Sequence, residues 1–422
     1  MQLNKLAAAL LVAGAAIPGA AFATNGYFQP GFSVKSVGMG GVGIAFPQDA
    51  MAAAINPAGM VEVGNRVDFG VSLFRPDRGA TASGAMYTPT GGTVPFSNSY
   101  SANDTKNFLI PEFGYNHMLT PTMSLGVSVF GNGGLNTGYS SIFPPFAAGT
   151  GVDMQQLFIA PTFAMKINAN NAIGITANLV HQSFRANGLS NLCYFPGMSA
   201  TPTACTDQGH DNSNGAGIRI GWIGQITPTL ALGATYQSKT SMQGFSKYRG
   251  LFANAGQFDI PSNFGVGFAW APSDQLTIAG DYMRIKYSDV PAIANGPNPG
   301  GALGGDPNGP GFPWQDLNVF KLGAAWRYSP QLTLRAGWNH GDDPINKDNV
   351  FFNTLAPGVV TDHLTLGASY ALSPSLELSA DYVHVLRQTL TGALPTTFFT
   401  PGSTETLYMS QNVFGVSIGW KY

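Results

Sequence analysis

The feature that most constrains the fold is a series of short alternating segments, which fills the sequence from about residue 64 to the C-terminus. In each segment apolar residues alternate with small or polar ones, as in 67–73, 264–270 and 332–338. A period of two is that of a β-strand, because successive side chains of a strand point to opposite faces. The segments therefore predict an all-β chain in which each strand has one apolar face.

The connections between these segments are of two kinds, short and long, which alternate along the chain. Short ones carry turn residues, as at Thr227-Pro228 and Ser373-Pro374. Long ones are rich in Gly, Pro, Asn and Ser and fall at 134–155, 186–213, 246–257, 289–316, 340–358 and 388–410. Outer-membrane barrels have short periplasmic turns and long extracellular loops. With about 14 strands counted in the sequence, we predict a monomeric, transmembrane antiparallel β-barrel of the Gram-negative outer membrane.

Composition agrees with a membrane barrel. Charged residues make up only 10% of the chain, against about 25% in soluble domains, yet no second long apolar run follows the N-terminal one. A barrel places its apolar residues at alternating positions and so needs no such run. The partners to expect are outer-membrane lipids and lipopolysaccharide, whereas a net charge of -2 predicts no nucleic-acid partner. The terminal aromatic, Tyr422, is similar to the signal that the barrel assembly machinery reads.

The N-terminus has the features of an export signal. Lys5 precedes an apolar stretch at 6–17, and Ala21-Phe22-Ala23 forms a small-x-small cleavage site. We therefore expect residues 1–23 to be a signal peptide and the mature chain to begin at Thr24. An uncleaved anchor is the alternative, although the apolar stretch is too short to span a bilayer.

Residues 24–63 lack the strand pattern and are rich in Gly and Ala. The stretch from Asp49 to Ile55 predicts a short helix that Asn56-Pro57 ends. Such a compact segment in front of a barrel, which we take to span 64–422, is expected to fold inside the lumen as a hatch, or plug. A periplasmic tail is the alternative.

Two motifs make the resemblance to a known family specific. The stretch 38–45 and the residues around Asp49 and 56–59 resemble the hatch signature of the FadL family of outer-membrane long-chain fatty-acid and hydrocarbon transporters, which includes channels of the TodX type. The matching hatch residues are Gly38, Gly40, Gly41, Asp49, Asn56, Pro57, Ala58 and Gly59. The resemblance implies passive uptake of hydrophobic molecules, with long-chain fatty acids as the first candidate cargo and aromatic or alkane hydrocarbons as the alternative.

The second motif lies at the upper end of the third barrel strand. Gly131, Gly133 and Gly134 resemble the family's inward kink, which opens a lateral gap in the barrel wall. Glycine suits such a break because it weakens a strand and permits a bulge. The alternative is that these glycines only start the external loop.

On each strand, the residues that alternate with the lipid-facing ones point into the barrel. Near the extracellular end these inward residues are apolar, which predicts an apolar upper lumen that contacts the ligand. Its members are Phe74, Phe108, Ile110, Phe130, Phe158, Met283, Ile285, Val383 and Val385. Packing of these residues against loops is the alternative. The external loops add apolar residues that could capture an amphiphile: Leu251, Phe252, Phe312, Trp314, Phe351, Phe352, Phe398 and Phe399.

Inward charges have two interpretations. Arg219, Lys321 and Arg335 are the candidate partners of a fatty-acid carboxylate. The interpretation that we favour for inward charges as a group is structural: they pair with one another and with the hatch.

Cys193 and Cys205 are expected to form a disulfide, since an exported chain meets an oxidising compartment. With His210 they supply too few ligands for an ordinary zinc site, so we predict no metal. The sequence shows no cofactor motif, and no nucleophile motif accompanies the strand histidines, so we predict that the chain is not an enzyme. An adhesin or purely structural barrel is the remote alternative.

Overall fold

The computed structural model describes residues 25–88, 90–297 and 301–422. The predicted signal peptide, 1–23, and the predicted mature N-terminus, Thr24, lie outside the described residues. Within those described ranges, no helix is long and apolar enough to cross a membrane.

Antiparallel strands make up most of the described chain. They are β1 (Arg66–Tyr87), β2 (Thr93–Ser101), β3 (Phe108–Thr120), β4 (Met123–Tyr139), β5 (Thr150–Asn168), β6 (Asn171–Asn187), β7 (Asp211–Thr227), β8 (Leu230–Gln237), β9 (Ser241–Met242), β10 (Asn263–Ser273), β11 (Leu276–Ile285), β12 (Leu317–Arg327), β13 (Leu332–Gly341), β14 (Asp362–Ala371), β15 (Leu376–Ala393) and β16 (Thr404–Lys421).

The sheet closes on itself through its first and last strands. Strand β1 pairs with β3 on one side and with β16 on the other, in a register that runs from Arg66↔Lys421 to Ser83↔Thr404. The described strands thus form a barrel of fourteen, because β2 only extends the upper part of β1 and β9 only adds a short pairing to β7. The predicted fold class and strand number are confirmed.

The outward strand phase carries the apolar band. Phe69, Val266, Leu366 and Val416 lie on this phase and are each more than half exposed, with relative exposures of 53%, 54%, 60% and 57%. Large apolar side chains exposed in rows on every side of a barrel require lipid rather than water around them. The alternation read from the sequence therefore assigns the lipid-facing side correctly.

Helices are short and lie in the N-terminal segment and the loops. They are α1 (Val34–Val37), α2 (Ser190–Cys193), α3 (Ala253–Gly256), α4 (Pro291–Ala294) and α5 (Val350–Asn353), with 3-10 turns at Ala52–Ala54, Pro57–Val61, Pro202–Ala204, Ser246–Tyr248, Tyr287–Asp289 and Lys347–Asn349.

The helix predicted over 49–55 is a single 3-10 turn, Ala52–Ala54. Pro57 does not end the helical structure but begins a second turn, for which the Asn56 side chain accepts a hydrogen bond from the Ala58 N–H. The physical reason is that proline fits the first position of a helical turn, where no N–H is needed. The first turn thus ends before Asn56, as predicted, but it is shorter than predicted, and a second turn that the sequence did not predict follows with Asn56 as its cap.

The N-terminal segment, which we define as residues 25–63, crosses the interior of the barrel. Its polar atoms meet separate strands of the wall: the Gly40 N–H donates to Thr365 Oγ1 of β14 at 2.8 Å. Asn116 Nδ2 of β3 donates to the Met60 carbonyl at 2.7 Å. Most of its apolar side chains are buried, with Met39, Val42 and Met60 at 0% exposure.

Candidate functional site

Charged side chains of the barrel wall hold the backbone of the N-terminal segment. On β11, Asp281 Oδ2 accepts the N–H groups of Gly43 and Ile44, at 2.8 and 3.2 Å. On the neighbouring strand β12, Lys321 Nζ donates to the carbonyls of Pro30 and Gly41, at 2.6 and 3.2 Å. Because Asp281 and Lys321 are paired in register, adjacent strands grip both ends of the 30–44 stretch.

The other two candidate cations are engaged in the same way. Arg219 donates to the carbonyl of Ile55 at 2.9 Å and to the side chain of Gln237. Arg335 Nε donates to Gln48 Oε1 at 2.8 Å, and its Nη1 donates to Ser369 Oγ at 2.7 Å. All three candidate cations therefore contact the N-terminal segment. This agrees with the interpretation that inward charges pair with one another and with the hatch. Their contact with a carboxylate ligand stays a prediction.

A second polar group holds the segment near the periplasmic end. Arg66 grips Asp68 with two hydrogen bonds of 2.6 and 2.7 Å. Asp68 Oδ2 also accepts a hydrogen bond from the Ala50 N–H at 2.9 Å. Asp49, one of the predicted hatch residues, turns back on its own backbone and accepts the Met51 N–H at 3.0 Å. Asp49 therefore shapes the turn, while Asp68 attaches that turn to the wall.

Asn56 is the most connected of the predicted hatch residues. Its Nδ2 donates to the carbonyls of Ile44 and of Trp222 in β7, at 2.7 and 3.0 Å, and its Oδ1 accepts the Ala58 N–H at 3.1 Å. One side chain thus links two parts of the segment and the wall. The asparagine satisfies both its amide donors and its carbonyl acceptor here, which no apolar residue could do.

The wall meets the segment through glycines at inward positions, and this feature was missed in the sequence. A Cβ atom on Gly221 would lie 1.9 Å from Asn56 Oδ1, and one on Gly337 would lie 2.2 Å from the Gly40 nitrogen. A Cβ on Gly233 would lie 2.4 Å from the Ile44 carbonyl oxygen. The signal was present, because these glycines occupy the strand phase opposite to the apolar residues. Glycine there allows backbone to approach backbone.

The predicted hatch glycines serve turns and close approach. Gly40 and Gly41 have φ values of +74° and +79°, and a Cβ on Gly41 would lie 1.9 Å from the Pro30 carbonyl oxygen. Gly38 meets the wall at Gly367, where its Cβ would come within 2.9 Å of the Cα atom. Gly59 packs against Pro47 inside the segment itself. The left-handed φ values favour glycine at positions 40 and 41, and the close approach of neighbouring atoms favours it at 38 and 59.

The upper lumen is apolar at the inward positions that the sequence predicted. Phe130, Phe158, Ile285, Val383 and Val385 are buried in one large cluster, against which the half-buried Met283 packs. Phe74, Phe108 and Ile110 form a separate small cluster beside β3. The larger cluster also contains Tyr27 and Phe28 of the N-terminal segment, so the inward residues pack against this segment as well as against loops. Their contact with a ligand stays a prediction.

A cavity of about 80 Å³ lies among the external loops above this lumen. It is bordered by the disulfide between Cys193 and Cys205 and by apolar side chains and glycines alone. Four of the predicted capture residues line it, namely Leu251, Phe252, Phe312 and Phe352. The other four, Trp314, Phe351, Phe398 and Phe399, are buried in the cluster below. An apolar cavity of this kind excludes water and accepts an apolar guest.

The barrel wall is interrupted between β3 and β4. Their pairing ends at Glu112↔Phe130, whereas β4 continues upward beside β5 as far as Tyr139↔Thr150. The register of β4 and β5 shifts between Gly131 and Gly133. The gap ends above at a bridge between Asn103 and Gly138. We call this gap the β3–β4 window; the three predicted kink glycines lie at its lower end.

The N-terminal segment reaches the β3–β4 window. Phe28 forms a β-bridge with Gly133, and the Gln29 N–H donates to the Asn132 carbonyl at 3.1 Å. A Cβ on Gly133 would lie 1.7 Å from the Tyr27 carbonyl oxygen, so only glycine admits this contact. The lumen, the segment and the window are therefore one connected site.

The fourteen-stranded barrel has known relatives. A sequence model of the family described as outer membrane protein transport protein (OMPP1/FadL/TodX) matches residues 14–416. The chain belongs to this family. The predicted family is thereby confirmed, and with it the assignment to outer-membrane transport proteins.

Solved structures of OMPP1/FadL/TodX-type fold show the same architecture. A FadL homologue of Pseudomonas aeruginosa has a TM-score of 0.71 at 16% identity, with 94% of this chain and 99% of that chain covered. The toluene transporter TodX of Pseudomonas putida has a TM-score of 0.69 at 18% identity, covering 94% and 100%. The toluene transporter TbuX of Ralstonia pickettii has a TM-score of 0.65 at 20% identity, covering 93% and 99%. Such identities establish the fold alone.

No curated protein sequence matches this OMPP1/FadL/TodX-family chain. Among its described residues, no group of three His, Cys, Asp or Glu side chains is placed to hold a metal ion.

Proposed function

We propose that this chain is a passive channel through which hydrophobic molecules enter the cell across the outer membrane. The apolar cavity among the external loops carries this proposal, because a water-filled porin has a polar lumen throughout. The cavity is lined without a charged side chain. A hydrophobic molecule that leaves the medium there gains about 0.8 kcal/mol for each methylene that it buries.

The N-terminal segment acts as the hatch of this channel. Its hydrogen bonds to Asp281 and Lys321 on one wall and to Asn116 on another support this role, because a segment held on several sides blocks the lumen. Each of these contacts consists of one or two hydrogen bonds, worth about 1 kcal/mol net where both groups are neutral and about 1.5–3 kcal/mol where one is charged. Part of the hatch can therefore shift without unfolding the barrel.

The exit is the β3–β4 window rather than the periplasmic mouth. The bridge between Phe28 and Gly133 places the start of the hatch against the window, which supports coupling of hatch movement to passage. On the lumen side of β3, beside the window, lie Phe108 and Ile110, both buried and apolar. A hydrophobic molecule that leaves sideways enters the bilayer directly and avoids water.

The lining of the cavity supports an uncharged hydrocarbon as cargo best. A long-chain fatty acid is the second candidate, and the observation that favours it is the presence of Lys321 and Arg335 in the lumen. Both cations now donate to Pro30, Gly41 and Gln48 of the hatch. A fatty-acid carboxylate would have to replace these acceptors, so its binding would be coupled to hatch displacement.

Uptake assays with a filled cavity test the proposal. The substitution Ala292→Phe places a ring in the cavity, and the control Tyr194→Trp exchanges one aromatic ring for a larger one at a loop residue outside the cavity that is 61% exposed. In cells that depend on this channel, we expect Ala292→Phe to reduce uptake at least fivefold and Tyr194→Trp to leave it unchanged. Undiminished uptake with Ala292→Phe would contradict the proposal.

The same assay separates the two cargoes. A radiolabelled aromatic hydrocarbon and a radiolabelled long-chain fatty acid are supplied in parallel. If Lys321→Gln abolishes uptake of the fatty acid but leaves uptake of the hydrocarbon unchanged, then Lys321 binds the carboxylate. Equal uptake of both cargoes by cells with and without the channel would exclude a transport role for either.

A further inference from the structure

The lipid-facing wall is not uniformly convex. A groove of about 640 Å³ runs across β8 and β10–β13 on the outside of the barrel. Its lining includes the outward side chains Phe268, Tyr282, Phe320, Leu322 and Trp338, and the Phe268 ring lies over Gly280, which has no side chain. The groove is therefore apolar and aromatic, which suits a hydrocarbon chain.

The upper end of this groove meets the edge of the apolar band. Along β12 the outward residues run from Trp326 through Leu322 and Phe320 to Asn318, the first polar one. Eight residues of strand span roughly 26 Å along the strand, which at a tilt of about 40° is a height of roughly 20 Å, against about 25 Å for the apolar band of an outer-membrane barrel. Asn318 therefore lies near the extracellular edge of the apolar band.

A polar cluster is built at this level, which we call the rim cluster. It consists of Tyr282, Arg284, Lys286, Asp316, Asn318 and Asp342, and the Asp342 Oδ2 accepts hydrogen bonds from the Asn318 N–H and Nδ2 at 3.2 and 2.7 Å. Asp316 Oδ2 lies 3.2 Å from Arg284 Nη2 and 2.9 Å from Lys286 Nζ. Asn318 Oδ1 accepts hydrogen bonds from the Tyr282 hydroxyl at 2.9 Å and from Arg284 Nη1 at 3.2 Å. The arginine is thus held in place directly above the aromatic pair of Tyr282 and Phe320.

The exposures within the rim cluster decide which charge faces outward. The side chains of Arg284 and Lys286 are 38% and 35% exposed, whereas that of Asp316 is only 12% exposed. Partial burial alone would raise the pKa of Asp316, but hydrogen bonds from Lys286, Ser288 and Arg284 lower it to about 2. The carboxylate therefore stays charged beneath the two cations and orients them, and the two cations are more exposed than the carboxylate that they share.

We propose that the groove and the rim cluster together bind lipid A, the phosphorylated and multiply acylated glycolipid of the outer leaflet. A phosphate accepts hydrogen bonds from a guanidinium and an ammonium group at the same time. One acyl chain of the same molecule then lies in the groove below. A zwitterionic phospholipid fits less well, because its own ammonium group already neutralises the phosphate. This inference is independent of the transported cargo.

Lipid binding to the purified full-length barrel tests the proposal. Native mass spectrometry measures the retention of lipid A, of phosphatidylglycerol and of phosphatidylethanolamine by the protein and by the double variant Arg284→Gln/Lys286→Gln. The matched control is Arg387→Gln, which removes a cation on β15 that lies 3.6 Å from Asp77. Mobility of the unheated barrel on gels verifies that each variant is folded.

We expect the double variant to bind lipid A at least tenfold more weakly, and the control to stay within twofold of the unmodified protein. Phe320→Ala, which removes one side of the groove but no charge, is expected to weaken binding by a smaller factor. Unchanged lipid A binding in the double variant would overturn the proposal. So would equal affinity for phosphatidylglycerol, which would show a general anionic-lipid contact instead.

Discussion

Arg78 of β1 holds Asn136 of β4 across the interior of the barrel: its Nε donates to the Asn136 carbonyl at 2.6 Å and its Nη2 to Oδ1 at 2.7 Å. Arg78 is only 2% exposed, and its guanidinium also lies 5.8 Å above the Phe108 ring. Strand β3 begins at Phe108, so these two hydrogen bonds join β1 to β4 above the end of β3. The pair therefore forms an upper tie of the β3–β4 window.

The substitution Arg78→Ala should release the upper half of β4. It leaves the acceptors of Asn136 buried without a donor, and hydrogen bonds to charged groups contribute about 1.5–3 kcal/mol each. We expect a loss of stability on the order of 3 kcal/mol and faster amide exchange over 132–138, while the barrel still assembles. Hydrogen exchange and urea unfolding measure both effects. Arg75→Ala, at an exposed outward position of the same strand, is the control and should change neither.

The inward glycines should be intolerant of any side chain, even a small one. In Gly337→Val, the new side chain would occupy the place of the Gly40 backbone, since the Cβ atom alone would lie 2.2 Å from its nitrogen. We expect the hatch to be displaced and to become sensitive to added protease in a folded barrel. Ala336→Val adds bulk one residue earlier, on the lipid-facing phase, and should leave the hatch protected. Full protection in Gly337→Val would show that this close contact does not hold the hatch.

The substitution Asn56→Ala should loosen the hatch without affecting the barrel. It removes donors to Ile44 and Trp222 and the cap of the following turn. With a net loss on the order of 2 kcal/mol, amides of 38–61 should exchange roughly thirtyfold faster, and uptake should fall. Asn346→Ala is the matched control, because Asn346 caps a similar turn, at the Asp348 N–H, in an exposed loop. Normal uptake with Asn56→Ala would contradict a role of this residue in gating.

The disulfide should stabilise the cavity rather than the barrel. Cys193 and Cys205 are separated by 12 residues and both border the cavity. Closing so short a loop contributes roughly 3 kcal/mol in the chain-entropy model. For Cys193→Ser/Cys205→Ser, we expect faster proteolysis within 188–210 and weaker uptake at low cargo concentration, with unchanged heat-induced unfolding of the barrel. Equal proteolysis of the variant and the unmodified protein would show that packing alone orders this loop.

The barrel could be predicted from the sequence because its two strongest signals are local. Alternation places Phe69, Val266 and Leu366 on one face of their strands, and loop length tells which end of each strand lies outside. Neither inference needs a contact between distant residues. The hatch glycines at 38–41 and the caps at Asn56 are likewise local, since they depend on turn geometry.

The candidate site was only partly predictable, because its contacts join residues far apart in the chain. The sequence shows that Lys321 faces inward, but its bonds to Pro30 and Gly41 depend on how the hatch crosses the lumen. The glycines Gly221 and Gly337 were visible in the inward phase, yet nothing local indicates which backbone they meet. The helix over 49–55 failed for a related reason: a few residues cannot stabilise a helix, and the surrounding walls favour short turns.

The sequence by itself determined the outer-membrane barrel, the number of its strands and the family to which the chain belongs. Each follows from periodicity and from a contiguous motif, which are encoded within a few residues. Only the tertiary structure decided that Arg78 ties β1 to β4, that Arg219, Lys321 and Arg335 contact the N-terminal segment, and that Arg284 and Lys286 lie above a lipid-facing groove. The physical reason is that these depend on strand register and curvature, which closure of the whole barrel sets.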